Sequence, residues 1–155
     1  MGNDGKGGNL MKYPFTYKFE EGNLSIELEI ESGVTLISGD SSTGKTFICE
    51  QIKGVIIEKS LRHEVNCNFP LDDTIVISNE IEFKKAMKST NKLIFLDKVA
   101  MYDSPELADF INKRRNTFIV MYRKMKNKFN ILQREIKELN YKVENDKIKI
   151  SLSNI

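Results

Sequence analysis

Hydrophobic and polar residues alternate strictly along the early chain: Phe15, Tyr17 and Phe19 against Thr16, Lys18 and Glu20, then Leu24, Ile26, Leu28 and Ile30 against Ser25, Glu27, Glu29 and Glu31. A period of two is that of a strand with one wet face. Two strands are therefore predicted, joined by a turn at Glu21-Gly22-Asn23, and one-faced alternation favours an antiparallel hairpin. After Gly33 the pattern changes. Val34-Thr35-Leu36-Ile37, Thr74-Ile75-Val76-Ile77, Leu93-Ile94-Phe95-Leu96 and Phe118-Ile119-Val120-Met121 are short, nearly unbroken apolar runs of the kind found in strands covered on both faces. Between them the spacing is helical. Ile48, Ile52, Val55, Ile56 and Lys59 predict a helix over about 44–60, and 81–88 a shorter one. Asp103-Ser104-Pro105-Glu106 opens a third helix with a polar cap, a proline in the first turn and an acid behind it.

Strands and helices that alternate in this way predict an α/β fold: a mainly parallel sheet with helices on both faces, plus the N-terminal antiparallel hairpin. The two ends read differently. Residues 1–12 hold four glycines among polar neighbours and are expected to form a flexible leader, leaving 13–155 as one domain. Residues 130–139 predict a helix with Ile131, Leu132, Ile136 and Leu139 on one side, and 141–152 a hairpin that turns at Glu144-Asn145-Asp146.

Composition narrows the classes without choosing among them. A chain of 155 residues with 40% apolar and 30% charged content suits one globular domain with one core. Its formal net charge of +2 is too small to argue for nucleic acid or an acidic membrane surface. No apolar stretch nears the roughly 18 residues of a membrane-spanning helix, and the first nine residues lack the apolar core of a signal peptide, so no membrane insertion and a cytoplasmic location are expected. Cys49 and Cys67 form no CxxC pair and His63 is the only histidine, which predicts a reducing compartment, no transition-metal site and inert thiols. Four basic residues fall in the six positions from Arg123 to Lys128, either a solvated loop or a contact with phosphate or a partner.

One segment carries chemistry on its own. Gly39-Asp40-Ser41-Ser42-Thr43-Gly44-Lys45-Thr46 fits G-x-x-x-x-G-K-[ST] at every fixed position, after a buried-type strand and before an amphipathic helix. Gly39 lets the chain leave the strand without a side chain in the way, and Gly44 lets the backbone come close to an anion. Backbone N–H groups from about Ser42 to Thr46, with Ser41 and Thr43 in the same bend, would surround phosphate at the positive end of the following helix. Lys45 supplies a mobile positive charge for the β- and γ-phosphates, and the Thr46 hydroxyl a ligand for Mg²⁺. Some fifty residues on, Leu93-Ile94-Phe95-Leu96-Asp97 ends a buried strand in an acid, where ligands bind in open α/β sheets and where a carboxylate can hold Mg²⁺ through its water shell.

These two motifs resemble the Walker A and Walker B elements of P-loop NTPases over residues 33–123, and the hairpin over 15–31 is similar to the strands that lead into the phosphate loop of ABC-type ATPases. The resemblance implies a three-layer P-loop NTPase fold of the additional-strand type, with Phe118–Met121 inserted between the strand before the loop and the strand ending in Asp97. It also implies ATP or another nucleoside triphosphate with Mg²⁺ as ligands, and a site residue just past the inserted strand. Arg123 stands there, as a sensor of the γ-phosphate or as a plain surface arginine. The departures matter too. Lys98 follows Asp97 where that group usually has a glutamate to orient the attacking water, and the sequence contains no LSGGQ-like signature. Asp103 is either a substitute base or a helix cap. The reading is an ATP-binding protein, slow or dependent on a partner in hydrolysis, with a second copy or another protein completing it. The alternative is a non-hydrolysing nucleotide switch; a small-molecule kinase ranks last, because Arg114-Arg115 stands alone instead of forming an arginine-rich lid.

Overall fold

The computed structural model describes residues 15–30, 33–38, 44–121 and 135–154. The predicted leader at 1–12 and the basic run at 123–128 lie outside them, as do Gly39, Ser41, Ser42, Thr43 and Arg123.

The alternating segments form the predicted hairpin, β1 (Phe15–Glu21) and β2 (Leu24–Ile30), antiparallel with Tyr17 opposite Leu28 and Phe19 opposite Ile26. Tyr17, Phe19, Ile26, Leu28 and Ile30 are buried, while Lys18, Glu20 and Glu29 are exposed, so the period of two did specify the inner face. The four apolar runs are strands as well: β3 (Val34–Ser38), β5 (Thr74–Ile77), β6 (Leu93–Leu96) and β7 (Thr117–Met121). Their pairing is parallel throughout, and β7 lies between β3 and β6, the place expected of an inserted strand.

Helices cover both faces of these strands. α1 (Lys45–Ile57) buries Ile48, Cys49, Ile52 and Val55 against Ile37, Phe95, Ile119 and Met121. On the other face α2 (Glu80–Ala86) and α3 (Pro105–Asn112) bury Phe83, Leu107, Phe110 and Ile111 against Leu36, Ile94, Phe118 and Val120. Both short helices carry side-chain caps: Asn79 Oδ1 accepts from the Glu82 N–H at 2.8 Å, and Ser104 Oγ from the Leu107 N–H at 3.1 Å. Ser104, not Asp103, therefore caps α3. α1 ends at Ile57, short of the predicted 60, and the chain continues as a 3₁₀ stretch over Lys59–Glu64.

Two features differ from expectation. Residues 135–139 are not helical but open a long strand, β8 (Glu135–Glu144), whose outer part pairs antiparallel with β9 (Lys147–Asn154) across a turn at Asn145 and Asp146, both with positive φ. The rest of the predicted helix, 130–134, lies outside the described residues. A short strand without a sequence signal, β4 (Val65–Cys67), pairs with β1. Among the described residues the result is a mixed sheet of nine strands in the order β4-β1-β2-β9-β8-β3-β7-β6-β5, mostly parallel and curled into a half-barrel. The β8–β9 hairpin joins its two parts, β8 lying parallel to β3 and β9 parallel to β2. Among the described residues no helix is long and apolar enough to cross a membrane.

Candidate functional site

The carboxyl ends of β3 and β6 lie on the same edge of the sheet, on either side of β7, and the amino end of α1 reaches the end of β6 there. Gly44 precedes α1 at φ 95° and ψ 14°, a left-handed conformation that L side chains adopt only under strain. Lys45 and Thr46 follow in the first turn, where helix N–H groups have no intrahelical acceptor and the helix dipole is positive. Lys45 is only 7% exposed.

Thr46 reaches across to the end of β6. Its Oγ1 donates to Asp97 Oδ1 at 3.3 Å, which joins the two sequence motifs, 51 residues apart, in one contact. A hydroxyl that gives its proton to a carboxylate keeps its lone pairs for a cation. Asp97 itself is 3% exposed. Burial pushes its pKa above the ordinary carboxylate range, and the N–H of Lys98 and the Thr46 hydroxyl, both hydrogen-bonded to the carboxylate, oppose that rise. Lys98 adopts φ 55°, a left-handed conformation that costs a residue with a side chain about 1–2 kcal/mol. The kink sets the Lys98 N–H on the carboxylate of the residue before it.

Beneath this pair sits a residue that the sequence did not single out. The hydroxyl of Tyr102 lies 2.6 Å from the Asp97 carbonyl oxygen and 3.0 Å from that of Ile77, and its one proton bridges the ends of β6 and β5. A lone aromatic in a loop has no periodicity that would reveal such a role. Its ring stacks on Phe83 of α2 at 6.0 Å, and burial raises its pKa, so it stays a neutral donor. Asp97 thus stands on a fixed backbone.

Other predicted residues fall at differing distances from this chemistry. Asp103 is partly exposed with its Oδ1 shielded and, among the described residues, without a hydrogen-bond partner, and capping does not explain it because Ser104 performs that task. Cys49 is buried within α1; burial first, then the nearby Asp97 charge, holds its thiol protonated. Cys67 donates to the Phe69 carbonyl at 3.0 Å, and His63 is exposed against Glu64 at 2.7 Å. Among the described residues no cluster of three or more His, Cys, Asp or Glu is placed to hold a metal ion. A cation at this point would rest on Thr46 and Asp97, with phosphate and water oxygens filling its remaining positions, a donor set that suits Mg²⁺.

A disfavoured charge makes a specific prediction. Because its folded-state pKa is raised, the stability linked to Asp97 is fully present below the ordinary carboxylate range and is lost as the pH rises through the folded value. Asp97→Asn should therefore stabilise the ligand-free protein at neutral pH by about 1 kcal/mol, or roughly 2–4 °C in a domain of this length, with the gain fading towards pH 4. Thermal melts across that range measure it; a variant less stable than the parent at pH 7 would refute the buried-charge account.

No protein-family model matches this chain, and a search of curated proteins finds no relative.

Proposed function

We propose that this protein binds a nucleoside triphosphate together with Mg²⁺ at the amino end of α1, within a three-layer P-loop NTPase fold of the additional-strand type. The observation that carries the reading is the hydrogen bond between Thr46 and Asp97. A loop motif by itself predicts phosphate binding, but a buried carboxylate held against the motif's hydroxyl serves no evident structural need and suits a cation. In the proposed complex Lys45 draws the β- and γ-phosphates, N–H groups of the first turn bind phosphate oxygens, and Thr46 and Asp97 hold the cation. Bound Mg²⁺ would offset the negative charge of the phosphates.

Turnover is slow or needs a partner. The residue after Asp97 is Lys98, which offers an ammonium in place of a carboxylate to activate water. Asp103, with a shielded oxygen free of capping duty, is the candidate base within the chain, and a group from a second copy or another protein is the candidate from outside. A kinase reading gains nothing, since Arg114 lies beside Gly33, at the start of β3 and away from the phosphate end of the sheet.

Titration calorimetry with ATP and ADP, with and without Mg²⁺, tests the reading together with an assay of phosphate release. Saturable, Mg²⁺-enhanced ATP binding is expected, with release that is slow for the isolated chain and lost in Asp97→Ala. Failure to bind either nucleotide at millimolar concentration would end the proposal. Tight ATP binding without release, even when the protein self-associates, would favour the switch, which further requires ATP and ADP to bind with different affinities.

A further inference from the structure

The outer half of the β8–β9 hairpin divides its residues by face. Lys142 pairs with Lys149 and Glu144 with Lys147, which puts these exposed charges on one side of the ribbon. Tyr141 pairs with Ile150 and Val143 with Ile148, on the other side. That second side belongs to the α1 face of the sheet, because Leu139 and Ile150 enter the core that α1 covers. Yet Tyr141 is 51% and Val143 61% exposed. In this outer half the second side holds Tyr141, Val143, Ile148 and Ile150 and no charged residue, and it is left partly uncovered.

Its position supplies an occupant. β8 keeps register with β3 as far as Ser38 opposite Glu138, so Tyr141 stands three residues beyond the end of β3, about 10 Å further along. Its cross-strand partner Ile150 closes on the proposed phosphate cradle: a Cβ on Gly44 would lie 4.0 Å from Ile150 Cδ1. α1 thus has two distinct flanks at its amino end. Thr46 reaches Asp97 on one and Lys53 reaches Glu82 at 3.0 Å on the same one. Gly44 faces β9 on the other, where helical spacing also puts Phe47, 45% exposed. A polyphosphate whose terminal end is drawn to the Thr46–Asp97 flank directs its other end to the β8–β9 flank.

The geometry points to Tyr141 and Val143, with Phe47 across from them, as the platform that receives the nucleobase of the bound nucleotide. This inference rests on the nucleotide reading above. An aromatic face and a branched apolar side chain recognise ring area, so stacking is the main interaction there.

The test compares ATP with inorganic tripolyphosphate, which has the phosphates without the base, as ligands of the full chain. Wild type should bind ATP more tightly than tripolyphosphate, and Tyr141→Ala should lose on the order of tenfold in ATP affinity with tripolyphosphate affinity unchanged. Tyr141→Phe should keep most of the ATP affinity, which separates stacking from damage to the hairpin. The sequence contains no tryptophan, so Tyr141→Trp provides a single reporter whose emission should respond to ATP and not to tripolyphosphate. Equal affinity of wild type for the two ligands, or unchanged ATP affinity in Tyr141→Ala whatever that variant does to self-association, overturns the platform alone. Binding of neither ligand by wild type removes the nucleotide site and the platform together.

Discussion

Replacement of Lys45 by alanine is expected to weaken Mg²⁺·ATP binding by about 3 kcal/mol, roughly 100-fold, while leaving the fold intact. Lys45 sits in the first turn of α1, where the helix already presents positive potential, and 7% exposure means that little water screens its ammonium group. Charge brought to phosphate at such a place contributes more than it would on an open surface. Lys45→Arg should not restore full affinity, since a planar guanidinium is larger and cannot act as a compact point charge. Calorimetry measures both effects, and circular dichroism checks that the variants are folded. A Lys45→Ala protein with parental affinity would separate the motif from its proposed use.

Phe118→Ala should produce the largest loss of stability, about 3–5 kcal/mol. Phe118 is fully buried in β7, and its ring meets that of Phe110 edge-on, with centroids 5.2 Å apart. Truncation would leave a cavity under α3, in the strand that separates β3 from β6. In a domain of this length that corresponds to a fall in melting temperature of roughly 10 °C. Because β7 sets the spacing between the strand that leads to Gly44 and the strand that ends at Asp97, nucleotide affinity should fall with it. Thermal melts with and without Mg²⁺·ATP measure both; a drop under about 2 °C would mean that β7 is not the central packing element described.

The parts of this fold that sequence could reveal are those in which local pattern and tertiary environment agree. In β1 and β2 the alternation matched a sheet with one wet face, and in β3, β5, β6 and β7 unbroken apolar runs matched strands buried on both sides. The helix start at Ser104-Pro105 followed from backbone chemistry alone. Residues 135–139 show the opposite case. Ile136 and Leu139 continue a spacing that suits a helix, but the segment has a partner strand on each side, β3 and β9, and ladder hydrogen bonds prevailed over the local pattern. β4 has only three residues, Val65-Asn66-Cys67, too few for a period, and owes its form to the free edge of β1.

The candidate site was legible for a related reason. The residue types required near phosphate and Mg²⁺ are few, so Lys45, Thr46 and Asp97 could be named from spacing, and the structure brings Thr46 and Asp97 into contact. What surrounds them was not legible. Tyr102 braces Asp97 from a loop, Lys98 adopts a strained φ beside it, and Ile150 arrives next to Gly44 on a hairpin whose place in the sheet no local signal specifies. These contributions come from chain topology, which residue spacing does not encode.

The most direct measurement of the central claim is a crystal structure of the protein grown with Mg²⁺ and a non-hydrolysable ATP analogue at millimolar concentration. The terminal phosphates are expected against Lys45 and the first turn of α1, with the cation beside Thr46 and Asp97. Analogue bound elsewhere, or not bound, with the Thr46–Asp97 hydrogen bond intact and no phosphate or cation near it, would contradict the account.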